Sequence, residues 1–266
     1  MLRSARCCEV LGCGLDGSVL VRGELGDRIV TAMSGALPVP DAPAVSVAGA
    51  IARMEAIAAA LPAADGLACF NRMYLDVTRQ VNSQLGRGFF ADPAFMTQLD
   101  VAFANLYFAA AGAAGTPAAA PLAWRPLVGQ RAVAGIEPVQ FALAGMNAHI
   151  NHDLPIAMVS TCTALATAPG DGPHFADYQK VDQLLDAAGQ SVRQSLESAA
   201  ELAADRHLAA VANLVTSWTI TSARDLAWNN CLLLWAVRDD PIARGLFLDT
   251  LATSTALASK MLLVAV

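Results

Sequence analysis

The sequence predicts an all-α protein of about eight helices in a single globular domain, with a small N-terminal appendage. Three observations carry that expectation. From Ser46 onward, apolar residues recur at spacings of three and four, the repeat of one helix face. Asp followed by Pro, a cap plus the residue best suited to the first helical position, occurs at Asp92-Pro93 and Asp240-Pro241. Beyond residue 46 no run alternates as a half-buried strand does, so there is nothing from which to build a parallel sheet.

Residues 1–47 read differently. Val19 to Glu24 and Arg28 to Val30 are short, partly alternating and separated by Gly, which fits a small hairpin. Pro38, Pro40 and Pro43 then make an extended linker. The expected division is therefore an appendage over 1–47 and a helical domain over 48–266.

In the helical part, Ile51, Met54, Ile57, Ala58 and Leu61 mark one face, and Pro62 closes that helix. Asp65 caps the next, with Leu67, Phe70, Tyr74, Val77 and Val81 on its apolar side and Gly86-Arg87-Gly88 as its stop. The helix opened by Asp92-Pro93 runs to about Gly112. Residues 113–137 hold Pro117, Pro121 and Pro126 and form a long loop, with a short helix around Trp124 to Val133. Long loops in compact domains often line sites. Pro138 opens a helix that Pro155 must break or kink, because proline lacks a donor and crowds the turn before it. The pattern resumes to about Leu165, and further helices are expected over 177–204, 205–218, 222–237 and from Pro241 onward.

Composition excludes several classes. With 55 % hydrophobic and 15 % charged residues the chain is too apolar to be disordered. A net charge of −6 argues against a nucleic-acid partner, which needs a positive face. At 266 residues it can bury a core without metal or disulfide staples. The mean hydropathy of +0.45 raises the question of a membrane. The most apolar stretches nevertheless fail as spans: Asn229 and Asn230 break one, and Asn105, Gly112 and Pro117 another. No signal-peptide run follows the basic start, so the expected location is the cytoplasm. The six cysteines lack zinc-finger spacing. Cys69, Cys162 and Cys231 read as small buried hydrophobes.

Two polar clusters stand out. In the first, Gly145, His149, His152 and Asp153 share one helix face, while Asn147 and Asn151 lie together on the opposite face. That helix must be contacted on both sides. His149 and Asp153, four residues apart, can hydrogen-bond along it, and the carboxylate would orient the imidazole and raise its proton affinity. In the second, Asp100, Phe103, Ala104 and Tyr107 share a face, an acid and a phenol among aromatics. Such a set suits a pocket for an apolar molecule with one or two polar handles. Trp124, Arg125, Asp177, Tyr178 and Trp228 are further candidates to line it. Three readings stay open for His149 and Asp153: a satisfied buried pair, an acid/base pair, or metal ligands with Asp100 or His152. His174 and His207 read as isolated surface residues. The chain has no Gly-x-Ser-x-Gly, and Gly12-Cys13-Gly14 lacks the context of a dinucleotide fold.

The runs Leu99 to Phe108, Ala123 to Leu127 and Ala142 to Pro155 resemble the signature blocks of a bacterial domain-of-unknown-function family (DUF5995-like), over about residues 50–260. The resemblance implies a mostly helical domain, often encoded among secondary-metabolite or uncharacterised genes, with Asp100, Asn105, Trp124, Asn147, His149 and Asp153 as characteristic polar residues. It implies no particular activity. His152 falls where the family is expected to vary.

The leading functional expectation is an enzyme acting without cofactor on an apolar, oxygenated small molecule of polyketide or terpenoid type, by cyclisation, isomerisation or elimination. His149 would shuttle the proton, oriented by Asp153. Asp100 and Tyr107 would polarise or anchor an oxygen, and Trp124 would stack; Asn105, Asn147, Phe103 and Trp228 would complete the binding surface. The alternatives are a hydrolase or lyase using a divalent transition metal held by Asp100, His149, His152 and Asp153, and a non-catalytic carrier of an apolar ligand. The Ala- and Leu-rich stretch 243–263 leaves a homodimer face open.

Overall fold

The computed structural model describes Leu37, residues 42–185 and residues 220–265. These belong to the compact unit Gly35–Val266. Three helices start on side-chain caps, two of them, Asp65 and Asp92, as expected. The Ser46 hydroxyl accepts the Gly49 N–H to open α1 (Val47–Ala60), Asp65 accepts Leu67 N–H to open α2 (Gly66–Leu85), and Asp92 accepts Phe95 N–H to open α3 (Pro93–Gly112). Each cap satisfies an amide that the first turn leaves without a partner. The loop after α3 holds two 3₁₀ turns, Pro117–Ala119 and Leu122–Trp124, and the short α4 (Arg125–Gln130).

A continuous helical path follows: α5 (Pro138–Ala148), a π turn (His149–Asp153) and α6 (Leu154–Ala164). A helical segment covers 174–185. Then come α7 (Ile220–Ala236) and α8 (Pro241–Leu262), the latter capped by Asp240, which accepts Ile242 and Ala243 N–H. No strand occurs among the described residues, so the fold is all-α there. No helix among them is long and apolar enough to cross a membrane.

Three local expectations need correction. Pro155 does not break the helix. It occupies the first turn of α6, where its missing N–H costs least, and the chain takes up the misfit one turn earlier by widening into the π turn. Asp177 does not begin a helix, since the segment is already helical at residue 174. Its buried carboxylate instead accepts the Ala91 and Asp92 N–H groups just ahead of α3, at 2.9 and 2.7 Å. His174 is not a surface residue. It is buried, stacked on Phe95 with ring centres 3.8 Å apart, with Nδ1 against the Ala168 carbonyl and Nε2 3.5 Å from Asp92. The hairpin expected over 19–30, Cys7, Cys8, Cys13, His207 and the helix over 205–218 lie outside the described residues, as does most of the helix over 177–204.

Two apolar cores form. One gathers around Phe70, Tyr107, Trp124 and Phe141, and the other around Phe95, Met158, Tyr178 and Trp228. Phe103 from α3 and Ile150 from the π turn pack against both. The π turn therefore sits at the seam between the cores, and its polar side chains are buried with it.

Gly145 shows how closely that seam is packed. A Cβ there would stand 2.5 Å from the Phe70 ring, which in turn lies edge-on to His149. Gly145→Ala gains about 1 kcal/mol of helix propensity. It must also displace a buried ring, an overpacking cost of about 1–3 kcal/mol. The expected result is a net loss of stability in urea titration, accompanied by a shifted His149 ring resonance. A variant as stable as the parent would refute this close approach.

Candidate functional site

Asp153 is the hub of the π turn. One carboxylate oxygen, Oδ2, accepts the Trp124 indole N–H at 2.9 Å and stands 3.1 Å from His149 Nδ1. The other, Oδ1, lies 2.7 Å from His152 Nδ1. His149 and Asp153 are both buried, and His152 is slightly exposed. Burial alone would push the Asp153 pKa up, but hydrogen bonds from the two imidazoles and their positive charge outweigh it and hold the carboxyl below its ordinary range. Burial pulls the His149 pKa down, against the opposing hydrogen bond and charge of Asp153. At neutral pH the pair is therefore an ionised Asp153 and a neutral His149. Because Asp153 offers only acceptors, the His149 proton sits on Nδ1, which leaves a lone pair on Nε2.

Beside this hub lies a cavity of about 100 Å³. Its walls are mostly apolar and come from α2, α3, the π turn, the 174–185 segment and the start of α7. Three of its lining residues each hold a buried polar atom with no hydrogen-bond partner: Tyr74 Oη, Asp100 Oδ2 and His149 Nε2. Buried polar atoms are almost always paired, so three orphans in one apolar wall are a marked exception. Burial raises the Asp100 carboxyl to about 7, so near neutrality much of it carries its proton. Burial, and then the nearby Asp100 charge, push the Tyr74 phenol well above its usual range. Thr78, whose hydroxyl donates to the Tyr74 backbone carbonyl at 2.9 Å, offsets this only in part. The Phe103 ring stacks on His149, centres 3.5 Å apart and planes 6° from parallel, and Tyr74 meets the same imidazole edge-on at 4.3 Å. The wall thus combines a lone-pair acceptor with two protonated donors.

The residues expected to form the site divide into two groups. Asp100, Phe103, His149 and also Tyr178 line the cavity. Asp153 stands behind His149. The others serve the surrounding structure. Tyr107 donates its phenol to Asn71 Oδ1 at 3.1 Å, and Asn71 in turn donates to the Met54 carbonyl. Trp124 is fully buried and is committed to Asp153 rather than free to stack on a ligand. Asn105 makes two hydrogen bonds to the Ala44 backbone, accepting its N–H at 2.8 Å and donating to its carbonyl at 2.9 Å, which ties down the chain entering α1. Asn147 faces α8, donating to the Thr255 carbonyl and the Ser259 hydroxyl. Trp228 packs on Phe175 and Tyr178. Arg125 donates to the Ala120 carbonyl.

The alternative metal set is not assembled. Among the described residues no three His, Cys, Asp or Glu side chains are placed to hold an ion. His149 and His152 both turn Nδ1 toward Asp153.

Two polar side chains of the cavity escaped the sequence reading. Tyr74 fits the apolar stripe of α2 and looks like core there; the hint was a phenol in an otherwise non-polar row. Arg224, buried in α7, donates to Asp182 and to the Tyr178 carbonyl and lies over the Tyr178 ring at 4.1 Å. No spacing in the sequence announces that arrangement.

A family model described as a family of unknown function, DUF5995, matches residues 47–265. No curated protein and no solved structure matches the chain.

Proposed function

We propose that the chain, which belongs to the DUF5995 family of unknown function, is an enzyme that moves a proton on a small, apolar molecule bearing one or two oxygens, without a cofactor. The observation that carries this reading is the set of three unpartnered polar atoms, on Tyr74, Asp100 and His149, in the wall of one apolar cavity. A ligand that accepts from the two O–H groups and gives a proton to His149 Nε2 would satisfy all three. In that chemistry His149 takes a proton from carbon next to a carbonyl. Asp100, protonated, gives its proton to the carbonyl oxygen, and Asp153 holds the imidazole in the required tautomer and stabilises the cation that forms. The enol O–H then returns its proton to Asp100 as the carbonyl re-forms, and the His149 proton goes to another carbon in isomerisation, to a departing β leaving group in elimination, or to the oxygen of an internal carbonyl attacked by the enol carbon in cyclisation. The volume also limits what reacts. An apolar cavity of about 150 Å³ accepts a benzene ring, so about 100 Å³ takes the reacting end of a polyketide- or terpenoid-like molecule rather than the whole.

Proton exchange into D₂O tests this before any natural substrate is identified. Small cyclic ketones and enones are incubated with the protein, and their α-proton signals are followed by NMR. The expected result is protein-dependent exchange that falls at least about 100-fold in His149→Ala. Exchange equally fast in that variant would overturn the assignment of the base. Ligands that raise the melting temperature yet never exchange would favour a carrier instead.

A further inference from the structure

On the opposite side of the π turn is a second cleft, of about 400 Å³, between α5 with the π turn, α7 and α8. It shares no lining residue with the cavity of Asp100 and His149. Its size falls in the range of small-molecule sites, about 300–1,000 Å³. Its lining among the described residues is uncharged: amides and hydroxyls alternate with apolar groups, and no Asp, Glu, Lys or Arg takes part.

The hydrogen-bond polarity of the cleft is fixed from within. Asn147 Nδ2 is spent on the Thr255 carbonyl and the Ser259 hydroxyl, both at 2.9 Å. A backbone carbonyl can only accept, so this end of Asn147 must be its NH₂. Asn147 Oδ1 therefore faces Asn151 and accepts the Asn151 NH₂ at 2.9 Å. The chain leaves Asn151 Oδ1 as its terminal atom, an acceptor that is buried and has no partner. Asn230, half-buried across the cleft on α7, has an amide without a hydrogen bond among the described residues. Phe247 and Leu226 supply apolar wall.

We infer that this cleft is a binding site for a neutral polyol of hexose size. Such a molecule brings the hydroxyl donor that Asn151 lacks and can both give to and accept from the Asn230 amide. It also has an apolar ring face to set against Phe247. A charged ligand finds no counter-ion among the described residues of the wall, and burying an unpaired charge is costly.

The test is an NMR titration of ¹⁵N-labelled protein with neutral hexoses and their methyl glycosides, with a hexose 6-phosphate as the charged control. The expected result is saturable movement of the Asn151 and Asn230 side-chain NH₂ signals. The signals of Asp100 and His149 stay still, and the phosphate binds more weakly. Asn230→Leu, which breaks no hydrogen bond, keeps the fold by circular dichroism and weakens binding at least tenfold. The inference is overturned by the absence of saturable shifts up to about 10 mM, a range that captures even weak sites. Unchanged affinity in Asn230→Leu overturns it as well.

Discussion

Asp100→Asn is expected to make the protein more stable at pH 8, by about 4 kcal/mol, while abolishing proton transfer. The folded protein holds the Asp100 carboxyl at about 7, against 3.8 for an ordinary carboxyl, because burial disfavours its charged form. Below pH 4 the group is protonated in folded and unfolded chains alike and favours neither. Between pH 4 and 7 the unfolded chain loses the proton and the folded chain keeps it. The unfolded state then binds fewer protons, so stability falls as pH rises. Each factor of ten in the ionisation constant is worth about 1.4 kcal/mol, which over this interval gives about 4 kcal/mol. Asn carries no such liability. Urea titrations of both proteins across pH 4 to 8 should therefore nearly coincide at the acid end and diverge steadily upward. The difference between the curves is the diagnostic quantity, because His149, held neutral by burial, bends the parent curve in the opposite sense below its ordinary pKa. Parallel curves would show that Asp100 is an ordinary ionised carboxylate and would remove the proposed acid.

Asp153→Ala is expected to be the most damaging single change among the described residues. The buried carboxylate serves Trp124, His149 and His152 together. Its removal strands donors in the core and opens a void. Breaking a buried, charge-assisted set of this kind costs about 3–5 kcal/mol, enough to unfold many domains of marginal stability. Asp153→Asn separates the structural role from the chemical one. It preserves volume and one acceptor oxygen but presents NH₂ to one of the partners. Trp124 can only donate, so the amide oxygen keeps the place that Trp124 and His149 share, and the NH₂ faces His152, whose Nδ1 becomes the acceptor. The expected signature is a folded protein in which His149 keeps its proton on Nδ1 but proton exchange falls, because a neutral amide no longer stabilises the imidazolium that forms. Nitrogen chemical shifts of His149 report the tautomer directly. The pH sign follows from the depressed Asp153 ionisation. Its stabilisation is present above the ordinary carboxyl range and is lost as the pH falls through the folded value. The Asp variants should therefore lose the acid-side decline that the parent shows.

Much of this arrangement is legible in the sequence, and residue types explain which parts. Asp65, Asp92 and Asp240 cap the helices that their positions forecast. A cap bonds an amide two or three residues away, so a short window contains the whole interaction. The same holds for His149 and Asp153, whose spacing of four brings them together on a helix or a widened turn alike. Asp100 and Phe103 share a face for the same reason. The opposite placement of Asn147 and Asn151 correctly forecasts a helix contacted on two sides.

Other assignments depended on partners that no local window contains. Asn105 was a candidate ligand contact, yet it holds Ala44, 61 residues away. Trp124 was a candidate stacking surface, yet it donates to Asp153, 29 residues away. His174 looked isolated because Phe95 and Asp92, which bury and bond it, belong to another helix.

The sequence by itself thus determined the all-α class, most helix ends and the pairing of His149 with Asp153, because those follow from interactions within about one turn of helix. Only the tertiary structure decided which polar atoms go without a partner. Tyr74, Asp100 and His149 come from three elements that meet where the two cores join. Tyr107 and Trp124 were claimed by Asn71 and Asp153. Satisfaction of a buried polar group is a property of everything packed around it, and that information is distributed over the whole chain.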